Sequence, residues 1–288
     1  MKVDFFIVGA PKAGTTSLYH YLNQHADIEM SSEKEPDFFS NSSLRQQGLY
    51  YGKNPIDTIE KYHSLFKKED VILRGEASVS YLFYEEVPKN IFAYNPDAKI
   101  IIMLRSPIDR AFSHYLMDYK LGLNSESFEA IIQKKSEHKN ANLFYQQYIK
   151  LSEYTNQIKR YLEVFKKQNI LVIDYDEFKK QNSDTVNSVF VFLGLNSKQK
   201  FSYKKKYNTY NRPRNSFIRY VYSLVSLRKI LVRIFPDFLI IMFREFLFTS
   251  DKKPKLDKLT RDALKKHFAS DVRGLSKLLN KDFAKWIR

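Results

Sequence analysis

The chain has 288 residues, 43% hydrophobic and 15% aromatic, enough to bury a substantial core and too apolar for a disordered polymer. Its 48 Lys and Arg against 32 Asp and Glu give a formal net charge of +16, which asks for an anionic partner: a nucleotide, an acidic glycan, a nucleic acid or an anionic membrane surface. Cysteine is absent, which excludes a disulfide framework, a thiolate metal site and a cysteine nucleophile.

The first element is an apolar run from Val3 to Val8, read as a buried β-strand rather than a signal peptide, because it is short and ends in a glycine loop. The loop spans Gly9 to Gly14 and a helix is expected from Thr15 to about His25. Val71 to Leu73 predicts a second strand and Lys99 to Leu104 a third, which leads into a helix starting near Pro107. A helical stretch from about Phe144 to Lys167 precedes a fourth strand, Ile170 to Ile173. Strands alternating with helices predict an α/β fold, a P-loop-type doubly wound parallel sheet flanked by helices.

From Lys198 to Pro236 there are eleven Lys or Arg and no Asp or Glu. The apolar run from Ile230 to Phe248 is interrupted by Arg233, Pro236, Asp237, Arg244 and Glu245, so no spanning helix is expected. Two amphipathic helices are expected between Leu256 and Arg288, giving a helical C-terminal region. With no repeat or low-complexity linker, one domain over 1–288 is the reading, and 198–250 is a basic, apolar helical segment shaping one side of a site.

The loop Gly9-Ala10-Pro11-Lys12-Ala13-Gly14-Thr15-Thr16-Ser17 stands between strand and helix, as a phosphate cradle must. Glycines let the backbone approach an anion, and the helix N-terminus presents free N–H groups and a favourable dipole. A Walker A loop places its lysine after the second glycine; here Thr15 holds that position and the cation is Lys12. At the third strand's end, Arg105 offers a forked, charge-assisted donor and Ser113 a hydroxyl from the following helix. Phosphate elements on two strand tips suit a nucleotide with phosphates at both ribose ends. After the first helix comes Ser31-Ser32-Glu33-Lys34-Glu35-Pro36-Asp37-Phe38-Phe39, in which Glu35 stands beside Lys34 and reads, taken alone, as a solvated carboxylate.

These segments resemble the PAPS-dependent sulfotransferases, in the bacterial branch similar to the heparan sulfate sulfotransferase domains. PAPS is 3′-phosphoadenosine 5′-phosphosulfate, and PAP is the bisphosphate left after sulfuryl transfer. The resemblance implies that Lys12, Ala13, Gly14, Thr15, Thr16 and Ser17 hold the 5′-phosphosulfate and that Arg105 and Ser113 bind the 3′-phosphate. It further implies that Lys12 stabilises the leaving phosphate and that Glu35 is the base, making Lys12 and Glu35 the catalytic pair. The chain departs from the family at Asp37, where many relatives carry histidine, and at Ala77, where they carry a lysine. His114 is the fallback base.

The implied function is sulfuryl transfer from PAPS to a hydroxyl or amine of a glycan, glycolipid or small molecule, without metal. A P-loop kinase is the alternative, with Asp174 after a strand as its metal ligand. No nucleic-acid recognition motif is present. The basic stretch, with Lys204 to Lys206 and Arg212 to Ser216, either closes over the 3′-phosphate, contacts anionic lipid or is a solvated face. A cytoplasmic location is expected, with a peripheral position at the inner membrane face as its variant.

Overall fold

The computed structural model describes residues 1–49, 51, 55–196 and 253–288, with the short pieces 212–213, 218 and 247–249. Five strands form one parallel sheet: β1 (Phe5–Gly9), β2 (Ile28–Met30), β3 (Leu73–Ala77), β4 (Lys99–Leu104) and β5 (Ile170–Asp174), in the order β2-β3-β1-β4-β5. All five residues of β1 are buried, as a central strand covered on both faces requires. The chain winds to one side of β1 and then to the other. The ligand crevice of such a sheet lies at the C-terminal strand tips beside this reversal.

The described helices are α1 (Thr15–Leu22), α2 (Asn41–Gln47), α3 (Ile59–His63), α4 (Val87–Tyr94), α5 (Pro107–Lys120), α6 (Phe128–Ile132), α7 (Ala141–Tyr148), α8 (Tyr154–Val164), α9 (Tyr175–Lys180), α10 (Asn182–Leu193) and α11 (Lys258–Leu279). Proline opens α5, as expected. Four differences from the expected elements have local causes. Helix α1 stops early because Asn23 closes it and its side chain accepts from the amide of Met30. Strand β2 was not expected; one oxygen of its Glu29 carboxylate takes the amides of Lys67 and Lys68 and the other lies 3.5 Å from Arg74 Nε, so the charge is partly compensated inside a three-residue strand.

Strand β3 begins where Val71–Leu73 was expected to end, and Ile72 is exposed. Its ladder is built on Gly75, where a Cβ would come within 2.1 Å of the Phe5 ring. The expected helix from Phe144 to Lys167 is broken by a 3-10 turn at Lys150–Ser152. The break frees the carbonyls of Gln147 and Tyr148 and the Ser152 hydroxyl, and all three accept from the buried guanidinium of Arg110. The tail is one long helix and a short 3-10 turn, Ala284–Trp286, rather than two helices.

Helix α11 returns to the sheet domain through Asp271, whose carboxylate accepts from the amides of Tyr154 and Thr155 and so caps α8. The reading of 198–250 falls almost wholly outside the described residues. Its described pieces include an antiparallel pairing of Arg212–Pro213 with Phe248–Thr249. Among the described residues no helix is long and apolar enough to cross a membrane.

Candidate active site

The loop after β1 is held open by backbone geometry. Gly14 precedes α1 at φ 91, in the left-handed region that favours glycine, and a Cβ there would meet the Tyr175 ring at 3.0 Å. Gly14 offers no side chain to cap the helix; its carbonyl takes the Ser17 amide at 3.0 Å, and the amides of Thr15 and Thr16 are those a helix N-terminus leaves for an anion. Ala13 and Thr15 are buried under the loop; Thr16 and Ser17 lie half-buried at its surface. Lys12 also has a positive φ of 66, unusual for a non-glycine residue and typical of functional turns.

Lys12 reaches across the crevice to α5, with Nζ 3.3 Å from the Met117 sulfur. Burial lowers its pKa below the ordinary lysine value; Asp118 opposes that shift, Arg105 adds to it and Glu35 opposes it again. These interactions bring Lys12, Arg105 and Glu35, far apart in sequence, into one electrostatic group. Arg105 donates to the Lys12 carbonyl at 3.0 Å, and its guanidinium lies 4.9 Å over the Tyr175 ring. Its own carbonyl accepts from the Tyr154 hydroxyl at 3.0 Å. Ser113 is half-buried on α5, one turn before Met117 and therefore on the strip that meets Lys12.

Glu35 lies on the segment that leaves β2 and runs beside β3. Its amide donates to the Ala77 carbonyl at 2.9 Å, and its carboxylate pairs with Lys34 at 2.5 Å. Glu35 and Asp37 both have positive φ, 61 and 54, so two carboxylates sit on a strained bend at the sheet end. Asp37 is buried and accepts from the Ser80 hydroxyl at 2.7 Å. Ala77 is buried in β3, so this position supplies no lysine to the crevice.

His114 does not serve as the fallback base. Its side chain is buried with both ring nitrogens engaged: Nδ1 accepts from Arg110 at 3.1 Å, which leaves Nε2 to donate to the Tyr51 hydroxyl at 2.7 Å. Burial, Arg110 and Lys12 hold it neutral, well below the usual histidine range. Asp174 is likewise committed, buried at the end of β5, where it caps α9 through the Asp176 amide and pairs with Lys285 at 2.6 Å. A kinase-type role for it is lost with that burial. Among the described residues no cluster of three His, Asp or Glu is arranged to hold a metal ion.

The sequence reading passed over Tyr175, Lys253 and Glu76. Tyr175 was detectable as the first residue beyond a strand's C-terminal end. Lys253 is exposed at the crevice mouth, yet its amine is pushed down to about 8, first by desolvation and then by Arg105. Glu76 carried no such signal, because it lies beyond the strand expected at Val71 to Leu73 and an acid is rarely buried.

The sulfotransferase domain profile matches residues 2–220. The bifunctional heparan sulfate N-deacetylase/N-sulfotransferase 1 of Caenorhabditis briggsae is 27% identical over 200 residues, covering 67% of this chain and 22% of that protein. Human carbohydrate sulfotransferase 15 is 26% identical over 245 residues, covering 66% of this chain and 43% of its own length. The chain thus spans less than half the length of these relatives. A crystal structure of a sulfotransferase from Alicyclobacillus acidocaldarius superposes over the whole of both chains with a TM-score of 0.73 and 28% identity. With the profile covering most of the chain and the fold shared end to end, the chain belongs to the sulfotransferase domain family.

Proposed function

We propose that the chain transfers a sulfuryl group from PAPS to a hydroxyl or amine of a glycan acceptor. The observation that carries this reading is the convergence of Lys12, Arg105 and Glu35 at the tips of β1, β4 and the segment beside β3. The loop amides of α1, with Thr15, Thr16 and Ser17, suit a phosphosulfate, and Arg105 with Ser113 suits a second phosphate on the same nucleotide. The names of the relatives, a carbohydrate sulfotransferase and heparan sulfate N-sulfotransferases, support a sugar acceptor over a small alcohol or a glycolipid.

In the transfer, the acceptor oxygen or nitrogen attacks sulfur as the sulfur–oxygen bond to the phosphate breaks. Glu35 takes the acceptor proton, and Lys12 faces the charge that grows on the departing phosphate. Both tasks call for opposite charges held close together without neutralising the site. Arg105 and Glu35 act on Lys12 in opposite directions, which suits that balance. Nothing in this chemistry requires a metal, and the kinase reading lacks both its lysine at position 15 and an available Asp174.

The basic segment 198–250 is assigned to the acceptor side, where an acidic glycan or an anionic lipid surface would meet it in a cytoplasmic setting. The test is incubation of the chain with 35S-labelled PAPS and extracts of its source cells, with and without EDTA. Label moving into a glycan fraction in EDTA is the expected result. Label reaching no acceptor, or transfer lost in EDTA and restored by magnesium, would overturn the reading.

A further inference from the structure

Beneath the bend that carries Glu35 lies a carboxylate with no part in the proposed chemistry. Glu76 is wholly buried in β3. It accepts three hydrogen bonds, all from hydroxyls: Ser78 at 2.5 Å, Tyr62 at 2.6 Å and Tyr81 at 3.2 Å. Two of these hydroxyls have a second partner. Ser78 Oγ accepts from the Asp37 amide at 2.9 Å, and Tyr81 Oη accepts from the Phe39 amide at 3.2 Å. A hydroxyl has one proton to give, and here both protons point to Glu76, which leaves their lone pairs for the backbone.

We propose that Glu76 is the positioning residue for the Glu35 segment: as a carboxylate it draws the protons of Ser78 and Tyr81 onto itself and so fixes their oxygens on the amides of Asp37 and Phe39. The two anchors lie just beyond Glu35, whose own amide is held by the Ala77 carbonyl at 2.9 Å. The bend keeps Glu35 and Asp37 at positive φ, a conformation that lasts only while surrounding bonds enforce it. If Glu76 gains a proton, its O–H must point at one of three hydroxyls that already point at it. Where the acceptor is Ser78 or Tyr81, that hydroxyl must rotate its own hydrogen off Glu76, which swings the lone pair that held the backbone amide out of line and weakens that anchor; Tyr62 holds no amide.

The device is poised to titrate. Burial pushes Glu76 up to about 7, against the pull of its bonds from Ser78, Tyr62 and Tyr81. The groups facing it are Tyr62 from α3, Tyr81 from the turn after β3, Tyr94 from α4, Tyr161 from α8 and Asp37 from the bend. All four phenols are raised above their ordinary value and stay protonated, so the bend tightens as Glu76 ionises with rising pH. The sign for stability is the reverse. A carboxyl with a folded pKa above its unfolded one disfavours folding progressively from pH 4.5 up to about 7, so the anchored bend is bought with global stability.

The connection to sulfuryl transfer rests on the proposed role of Glu35, but the anchor can be measured without it. Amide hydrogen exchange, corrected to protection factors, is followed at Asp37 and Phe39 at pH 6 and pH 8.5 in the wild-type chain, Glu76→Gln and Ser78→Ala. Protection at both amides should rise at least about tenfold with pH in the wild type, roughly nine parts in ten of Glu76 being protonated one unit below its pKa. Glu76→Gln should stay near the low value at both pH values while melting no earlier than wild type at pH 8.5. Ser78→Ala should lose protection at Asp37 alone, and it keeps the test decisive if Glu76→Gln does not fold. Wild-type protection independent of pH, or full protection in Ser78→Ala, would overturn the proposal. PAP titration of the same samples reads the sulfotransferase assignment separately: a chain with pH-dependent anchors that ignores PAP refutes that assignment and leaves the anchor standing.

Discussion

At Lys12 the fold works against the charge that the chemistry needs. Burial and Arg105 favour the neutral amine, while Asp118 and Glu35 favour the cation. Because its pKa lies below that of an ordinary lysine, its charge is lost, as pH rises, earlier than a free lysine would lose it. The rate of single-turnover transfer should therefore fall on an alkaline limb below the usual lysine range, and Lys12→Arg should move that limb upward. Glu35 differs in kind, since the proposed reaction sets it against the acceptor rather than the nucleotide. Glu35→Gln should leave PAP affinity nearly intact and lower turnover by roughly 10²–10⁴-fold, the usual contribution of a positioned base. Lys12→Ala should weaken both. PAP calorimetry beside single-turnover transfer separates the two, and wild-type turnover in Glu35→Gln would make Glu35 a surface carboxylate.

At the scale of elements, the sheet depends on one missing side chain. A methyl group at position 75 would stand 2.1 Å from the Phe5 ring in the middle of the β1–β3 ladder. Gly75→Ala should cost about 1–3 kcal/mol or more of stability, and urea unfolding would register it. A loss of under half that range would mean that β1 shifts freely against β3. The same strand explains why β3 was misplaced in the sequence: Gly75 and Glu76 disguise it, since neither looks like a buried strand residue, while Val71 to Leu73 do. By contrast β4, Lys99 to Leu104, is an uninterrupted apolar run after its first residue and was legible to the residue. The loop between β1 and α1 was legible because its spacing is local. The group formed by Lys12, Arg105 and Glu35 was not derivable from spacing, because only the strand order brings those tips together. His114 looked available in the sequence because nothing in its neighbourhood names Tyr51, which reaches it from 63 positions away.

For the whole molecule, a charge of +16 and a crevice at the tips of β1 and β4 suit the proposed anion with more than one phosphate. The crevice places Arg105 where a phosphate would rest on a guanidinium, and the loop amides where a second would rest on a helix N-terminus. A nucleotide carrying phosphates at both ribose positions engages both elements; one with the 5′ chain alone engages only the loop. The most direct measurement is isothermal titration of the chain with PAP and with ADP in the same buffer and salt. Losing charge-assisted contacts to the 3′-phosphate should cost about 2–4 kcal/mol, so PAP should bind roughly 30- to 800-fold more tightly than ADP. Equal affinity for the two nucleotides would contradict the assignment of Arg105 and Ser113, and with it the claim that this crevice is built for PAPS.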